Sequence, residues 1–142
     1  MARIKIEQPA TYSFSTTIPV RITDVNYGGH VGNDTVLSLI HEARMQFLKS
    51  LGYTEMNLAG TGMIMADVAI EFKSELFYGD IVIASVAAND LSRVGFDLVY
   101  KLEKESEGKR PLVAIAKTGM ICFDYEKKKI ASLPDEARQR LS

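Results

Sequence analysis

One change of period constrains this chain more than any other feature. Between Val36 and Leu51 the apolar residues Val36, Leu37, Ile40, Ala43, Phe47, Leu48 and Leu51 recur at helical spacing. Leu39 and Met45 widen that face, so the spacing predicts one long, largely buried helix. Asn33 or Asp34 can cap its start, and Gly52 can end it in a left-handed conformation. Nearly everywhere else the pattern has a period of two. Tyr12, Phe14, Thr16, Ile18, Val20 and Ile22 fall on one side of a strand over 12–22. Pro19 places part of that strand at an edge or a bulge.

Further strands are expected over 64–72, 81–88, 94–102 and 112–123. The turns between them are Tyr78-Gly79-Asp80, Asn89-Asp90 and the polar loop Ser106-Glu107-Gly108-Lys109. Pro134 opens a short terminal helix with Asp135 and Glu136 in its first turn. Short connections favour antiparallel neighbours, and one apolar helix needs a sheet to cover it. The expected class is α+β, an antiparallel sheet of about five strands curled around one long central helix. No linker or repeat divides residues 1–142, so a single domain is expected.

Composition excludes several functions. A net charge of -1 with scattered basic residues argues against nucleic acid as a partner. The densest basic run, Lys127-Lys128-Lys129, reads as a solvated turn. No apolar run is long enough to span a bilayer, and residues 1–7 do not read as a signal peptide. The lone Cys122 forbids an internal disulfide and sits in an apolar strand, where an inert thiol is expected. A cytoplasmic location is therefore the expectation. His41-Glu42-Ala43-Arg44 lacks the second histidine of a zinc helix, so no metal ligands are assigned.

The chemistry is concentrated where the period changes. Residues 24–34 read Asp-Val-Asn-Tyr-Gly-Gly-His-Val-Gly-Asn-Asp. The segment gathers two carboxylates, two carboxamides and one of two histidines, and it ends where the helix begins. Free N–H groups at a helix start favour an oxyanion or a carbonyl oxygen.

This loop, in this order of elements, resembles the hotdog-fold acyl-CoA thioesterase family, of the 4-hydroxybenzoyl-CoA thioesterase type. Its signature is Asp-x-Asp, then Gly-His-Val-Asn-Asn, then a helix with Glu-Ala-Arg. Asp24, Gly29-His30-Val31, Asn33 and Glu42-Ala43-Arg44 match it, as do Leu51-Gly52, Ile70-Glu71-Phe72-Lys73 and Tyr78-Gly79-Asp80. Two positions depart. The second acid of the pair is Asn26, and the first Asn of the later pair is Gly32. Asp34 follows Asn33 where the family has a small residue, so the acid count is kept while its position moves.

The resemblance implies hydrolysis of an acyl-CoA or acyl-carrier-protein thioester, by carboxylate-assisted attack of water or by direct carboxylate attack. It implies no cofactor, coenzyme A being part of the substrate, and a homodimer or a tetramer of dimers. The alternative function is a non-catalytic acyl-CoA-binding module, which the Asn26 departure favours. A catalytic group would then be drawn from Asp24, Asn26, His30, Asp34 and Glu42. Asp24 or Asp34 would act as base, and Asn26 and Asn33 would hold the water or the carbonyl. Gly28-Gly29 and the helix start would offer oxyanion donors. Tyr27, Gly28, Gly29 and Asn33 would meet the substrate, with Lys73 and Arg93 for the CoA phosphates.

Asp34, Ser38 and Glu42 share one helix face. Asp34 is ranked above Glu42, which has Arg44 or Arg21 as an alternative ionic partner. Each assignment has a structural counterpart: Asp24 as a turn brace, Asn33 or Asp34 as an N-cap, the glycines as turn formers and His41 as a surface group.

Overall fold

The computed structural model describes residues 2–142. The long helix α1 spans Asn33–Ser50 and buries Val36, Leu39, Ile40, Ala43, Phe47 and Leu48, as the apolar spacing requires. Gly52 ends it at φ +84. Its N-cap is Gly32 rather than Asn33 or Asp34, and it has no side-chain cap. The chain arrives extended at Gly32, which leaves both polar side chains inside the first turn.

Around α1 lie β1 (Phe14–Pro19), β2 (Gly62–Phe72), β3 (Ile81–Asn89), β4 (Gly95–Lys104) and β5 (Leu112–Asp124). They form an antiparallel sheet in the order β1-β3-β4-β5-β2, so β1 and β2 are its edges. A two-residue strand β6 (Lys129–Ile130) adds to β5, and α2 (Asp135–Leu141) closes the described chain. Among the described residues, no helix is long and apolar enough to cross a membrane.

Strand parity separates the two faces of the sheet. Val82, Ala84, Val86, Leu98, Tyr100, Leu102, Ala114, Ala116 and Met120 point inward and share one core with α1. β2 is irregular. Its register against β5 shifts between Met65 and Asp67, and the Asp67 carboxylate accepts the Gly119 N–H at 2.9 Å across that bulge. Beyond the bulge its inward face is covered only in part: Ile70 packs against the core, while Val68 and Phe72 are 40% and 47% exposed.

The outer face carries a strap. Register places Ser15, Ser85, Lys101, Ile115 and Glu71 in one row across all five strands. Residues 6–12 follow this row, held at both ends. The Lys101 ammonium lies 5.1 Å from the Tyr12 ring centroid, and the Ile6 N–H donates to Glu71 Oε2 at 2.7 Å. Outward-facing Ile83, Val99 and Ile115 are buried accordingly.

Candidate functional site

The chain leaves β1 at Pro19, makes a single 3-10 turn over Ile22–Asp24, and forms a tight hairpin before α1. Asp24 is buried. Its Oδ2 accepts the Arg21 N–H at 2.8 Å, and its Oδ1 lies 3.4 Å from the Arg21 guanidinium. Val25 and Val31 face each other across the hairpin, and the Asn26 N–H donates to the His30 carbonyl at 3.1 Å.

Asn26 organises the hairpin tip. Its Oδ1 accepts the Gly28 N–H at 2.9 Å, and its carbonyl accepts the Gly29 N–H at 3.0 Å. Gly29 has φ +83, a conformation glycine adopts freely. Both glycine N–H groups are therefore bonded to Asn26 and are not the oxyanion donors expected from the sequence. The donors that do remain are at the start of α1, where the first N–H groups of a helix have no intrahelical partner. Tyr27 projects fully into solvent at the tip.

The hairpin docks on the segment after β2. The Val31 N–H donates to the Leu76 carbonyl at 2.9 Å, and His30 pairs with Phe77. This docking creates a pocket of about 280 Å³ lined by His30, Val31, Asn33, Val36, Phe72, Lys73, Leu76 and Val113. His30 Nδ1 lies 3.2 Å from the Val31 carbonyl. The pocket thus unites His30, Asn33 and Lys73 from the expected set.

Asp34, exposed in the first turn of α1, follows Asn33 in sequence but does not line this pocket. A Cβ placed on Gly32 would lie 2.7 Å from Asp34 Oδ1 and 3.4 Å from Asn26 Nδ2. Both atoms thus border the space that a side chain at Gly32 would fill, and they are at most about 6 Å apart.

Asp24 and Glu42 lie elsewhere. They share a second pocket of about 360 Å³ with Arg21, Ser38 and Gln46, between β1 and α1. Glu42 accepts from Gln46 Nε2 at 2.8 Å, and the Thr16 hydroxyl donates to Gln46 Oε1 at 2.6 Å. Glu42 does not pair with Arg44 or Arg21. Helical geometry turns Arg44 inward, where its Nε donates to Glu55 Oε2 at 3.1 Å and its Nη1 to the Tyr100 hydroxyl at 3.3 Å. Arg93 is also displaced from the expected site. It precedes β4, at the sheet end where Asn89 pairs with Asp97, and its carbonyl accepts the Leu133 N–H. The loop of residues 24–34 leaves the opposite end, where Pro19 pairs with Ile81.

Sequence reasoning missed a buried polar network. Tyr100 and Thr118 are buried and 2.7 Å apart through their hydroxyls, while His41 Nε2 and Glu55 Oε1 are 2.8 Å apart. Burial opposes ionisation of Glu55, but His41 and Arg44 prevail and hold its carboxyl below the usual value. The signal was present in the helix pattern. Arg44 falls four residues after Ile40 and three before Phe47, on the apolar stripe, and a cation there requires a buried partner. Cys122 is buried, and burial pushes its thiol up to about 11, which makes it a poor nucleophile at neutral pH. Among the described residues no group of three His, Cys, Asp or Glu side chains could hold a metal ion.

A curved antiparallel sheet around one long central helix defines a hotdog fold. The structure is similar to the 1,4-dihydroxy-2-naphthoyl-CoA thioesterase from Synechocystis, with a TM-score of 0.80 and 21% identity, covering 90% of this chain and 94% of that one. It is also similar to 4-hydroxybenzoyl CoA thioesterase from Pseudomonas sp. strain CBS-3, with a TM-score of 0.80 and 14% identity, covering 92% and 99%. In sequence the chain is 28% identical over 124 residues to a candidate esterase of Aquifex aeolicus (strain VF5), covering 86% of this chain and 92% of that protein. Residues 20–141 match the family model of the thioesterase-like superfamily. The chain belongs to the thioesterase-like superfamily, and thioester hydrolysis is the activity that this membership supports.

Proposed function

We propose that the protein hydrolyses acyl-CoA thioesters with Asp34 as the reacting carboxylate. The observation that carries this reading is the approach of Asp34 and Asn26 to the open space at Gly32, at the start of α1 and next in sequence to the pocket residue Asn33. Asp24 is tied to its own turn and Glu42 to Gln46, so Asp34 is the carboxylate of the three with its oxygens open. In the proposed step Asp34 takes a proton from a water held by the Asn26 carboxamide. The oxygen attacks the thioester carbonyl carbon. The resulting oxyanion is met by N–H groups at the start of α1, whose dipole favours negative charge. The C–S bond then breaks, and the thiolate leaves and takes up a proton. Direct attack by Asp34 is the competing route, and it would leave a transient mixed anhydride.

The pocket walls Val31, Val36, Phe72, Leu76 and Val113 suit a small or medium acyl group, and Lys73 at the rim suits the phosphates of coenzyme A. No separate cofactor enters this scheme. The partly uncovered apolar face of β2 adjoins the pocket through Phe72, which supports a homodimer that completes the site.

The test is hydrolysis of a panel of acyl-CoAs with free-thiol detection, on the wild type and on Asp34→Asn. Loss of a general base lowers kcat by about 10²- to 10⁴-fold. Full activity in Asp34→Asn would remove Asp34 from this role and return Asp24 to it. Binding of acyl-CoA without release of any thiol would favour the binding module, the reading that Asn26 supports.

A further inference from the structure

The strap over the outer face ends at the functional pocket. Glu71, in β2, takes the Ile6 N–H at 2.7 Å through Oε2 and pairs with the Lys73 ammonium at 3.3 Å through Oε1. Lys73 in turn lines the pocket with His30 and Asn33. The two oxygens of one carboxylate thus join the strap to the rim of the pocket. The Ile6 N–H first, then Lys73 and Lys5, hold the Glu71 carboxyl below its usual range against the opposing effect of desolvation. Backbone geometry fixes the other side of Lys73, whose N–H donates to the Val113 carbonyl at 2.8 Å.

We propose that the strap of residues 6–12 belongs to the substrate site. Its bond from Ile6 fixes Glu71, Glu71 holds Lys73 at the pocket rim, and Lys73 receives the phosphate-bearing end of the thioester's carrier. This rests on the thioesterase reading above. Glu71 is a positioning residue, and the strap acts through it. An ammonium on a flexible four-carbon stem meets a phosphate as a point charge. Holding that stem in advance lowers the ordering cost of binding.

The experiment compares one acyl group on two carriers, coenzyme A and N-acetylcysteamine, which has no phosphate. The variants are Ile6→Pro, which removes the N–H donor, Glu71→Gln, Lys73→Met and the Ile6→Pro/Lys73→Met double variant. Ile6→Pro and Lys73→Met are each expected to raise KM for the CoA ester about fivefold, the scale of a partly exposed ionic contact, with kcat unchanged. Neither should alter KM for the N-acetylcysteamine ester. Glu71→Gln keeps an acceptor for Ile6 and loses the charge that holds Lys73, so it should give the same split. The double variant should be no worse than Lys73→Met alone, because both changes act through one group. An equal shift on both carriers, or no shift in Ile6→Pro, would overturn the proposal. Calorimetric binding of coenzyme A by the same proteins separates the two readings. Weaker binding in Ile6→Pro with no turnover in the wild type would keep the strap and remove the hydrolase. Turnover in the wild type with unchanged binding in Ile6→Pro would do the reverse.

Discussion

Asp34 Oδ1 and Asn26 Nδ2 converge on the same point in space, 2.7 Å and 3.4 Å from where Gly32 would carry a Cβ. The relation explains three residues together. An amide at position 26 can both brace the turn through Oδ1 and offer Nδ2 to a neighbour. Asp34 can lean back over position 32 because glycine leaves that space open.

Gly32→Ala tests the relation directly. Its φ of -73 and ψ of 161 are open to any residue, so the fold accepts the change. The cost at an N-cap position is at most about 1 kcal/mol. The added methyl displaces the Asp34 carboxylate, however, and misplacement of a reacting group by about 1 Å costs on the order of a hundredfold in rate. A thermal melt should stay within a few degrees of wild type while kcat falls by about ten- to a hundredfold. Unchanged turnover would show that the convergence plays no part in the chemistry.

The buried network makes a second prediction, about stability. Arg44 is joined to the partly buried Glu55 and to Tyr100, and Tyr100 to Thr118; Arg44, Tyr100 and Thr118 lie in the core. Arg44→Ala removes one partner each from a partly buried carboxylate and a buried hydroxyl and should cost about 2–3 kcal/mol. Tyr100→Phe removes one hydroxyl that serves two neighbours and should cost about 1–3 kcal/mol. Urea unfolding measures both. Equal and small losses would mean that Arg44 is solvated in place.

How far the sequence could be read follows from these same residues. The helix was legible because Val36, Ile40, Ala43 and Phe47 repeat at a spacing that only a helix places on one face. The inward set of β4 followed from the alternation of Val94, Phe96, Leu98, Tyr100 and Leu102, whereas β3 is apolar on both faces and its sequence does not tell them apart. The edge strand β2 was harder, since the bulge at residue 66 changes the parity and Asp67 replaces a ladder bond with its side chain. The hairpin that leads into α1 was legible as a polar, glycine-rich loop. Which N–H groups were free was not, because Asn26 binds Gly28 and Gly29 by a turn that depends on hairpin closure. Arg93 was misplaced because chemical type says nothing about which end of an antiparallel strand a turn occupies.

The Glu55 carboxyl gives a pH prediction with a definite sign. Its folded value lies below the ordinary 4.5, so the folded protein holds the ionised form more strongly than the unfolded chain does. The stability this contributes is complete above about pH 4.5 and is lost as pH falls through the lower folded value. Melting temperatures of wild type and Glu55→Gln should therefore differ most at neutral pH and converge on acidification. A gap that widens toward low pH would contradict the pairing with Arg44 and His41.

The inner face of β2 should be where a second copy binds. Val68 and Phe72 sit opposite Thr118 and Ala114, both fully buried, yet they remain 40% and 47% exposed themselves. The difference arises at the sheet edge, where β2 has only β5 beside it. An open strand edge beside an apolar strip is a pairing surface that soluble chains seldom leave bare. Light scattering after size exclusion should give the mass of a dimer or a multiple of it. Val68→Lys places an ammonium on the strip without entering the core, so the isolated fold should survive and the mass should fall to that of one chain. Activity should fall with it, since Phe72 of the same strip lines the pocket. A monomeric wild type, or a Val68→Lys variant of unchanged mass, would place the assembly on another surface.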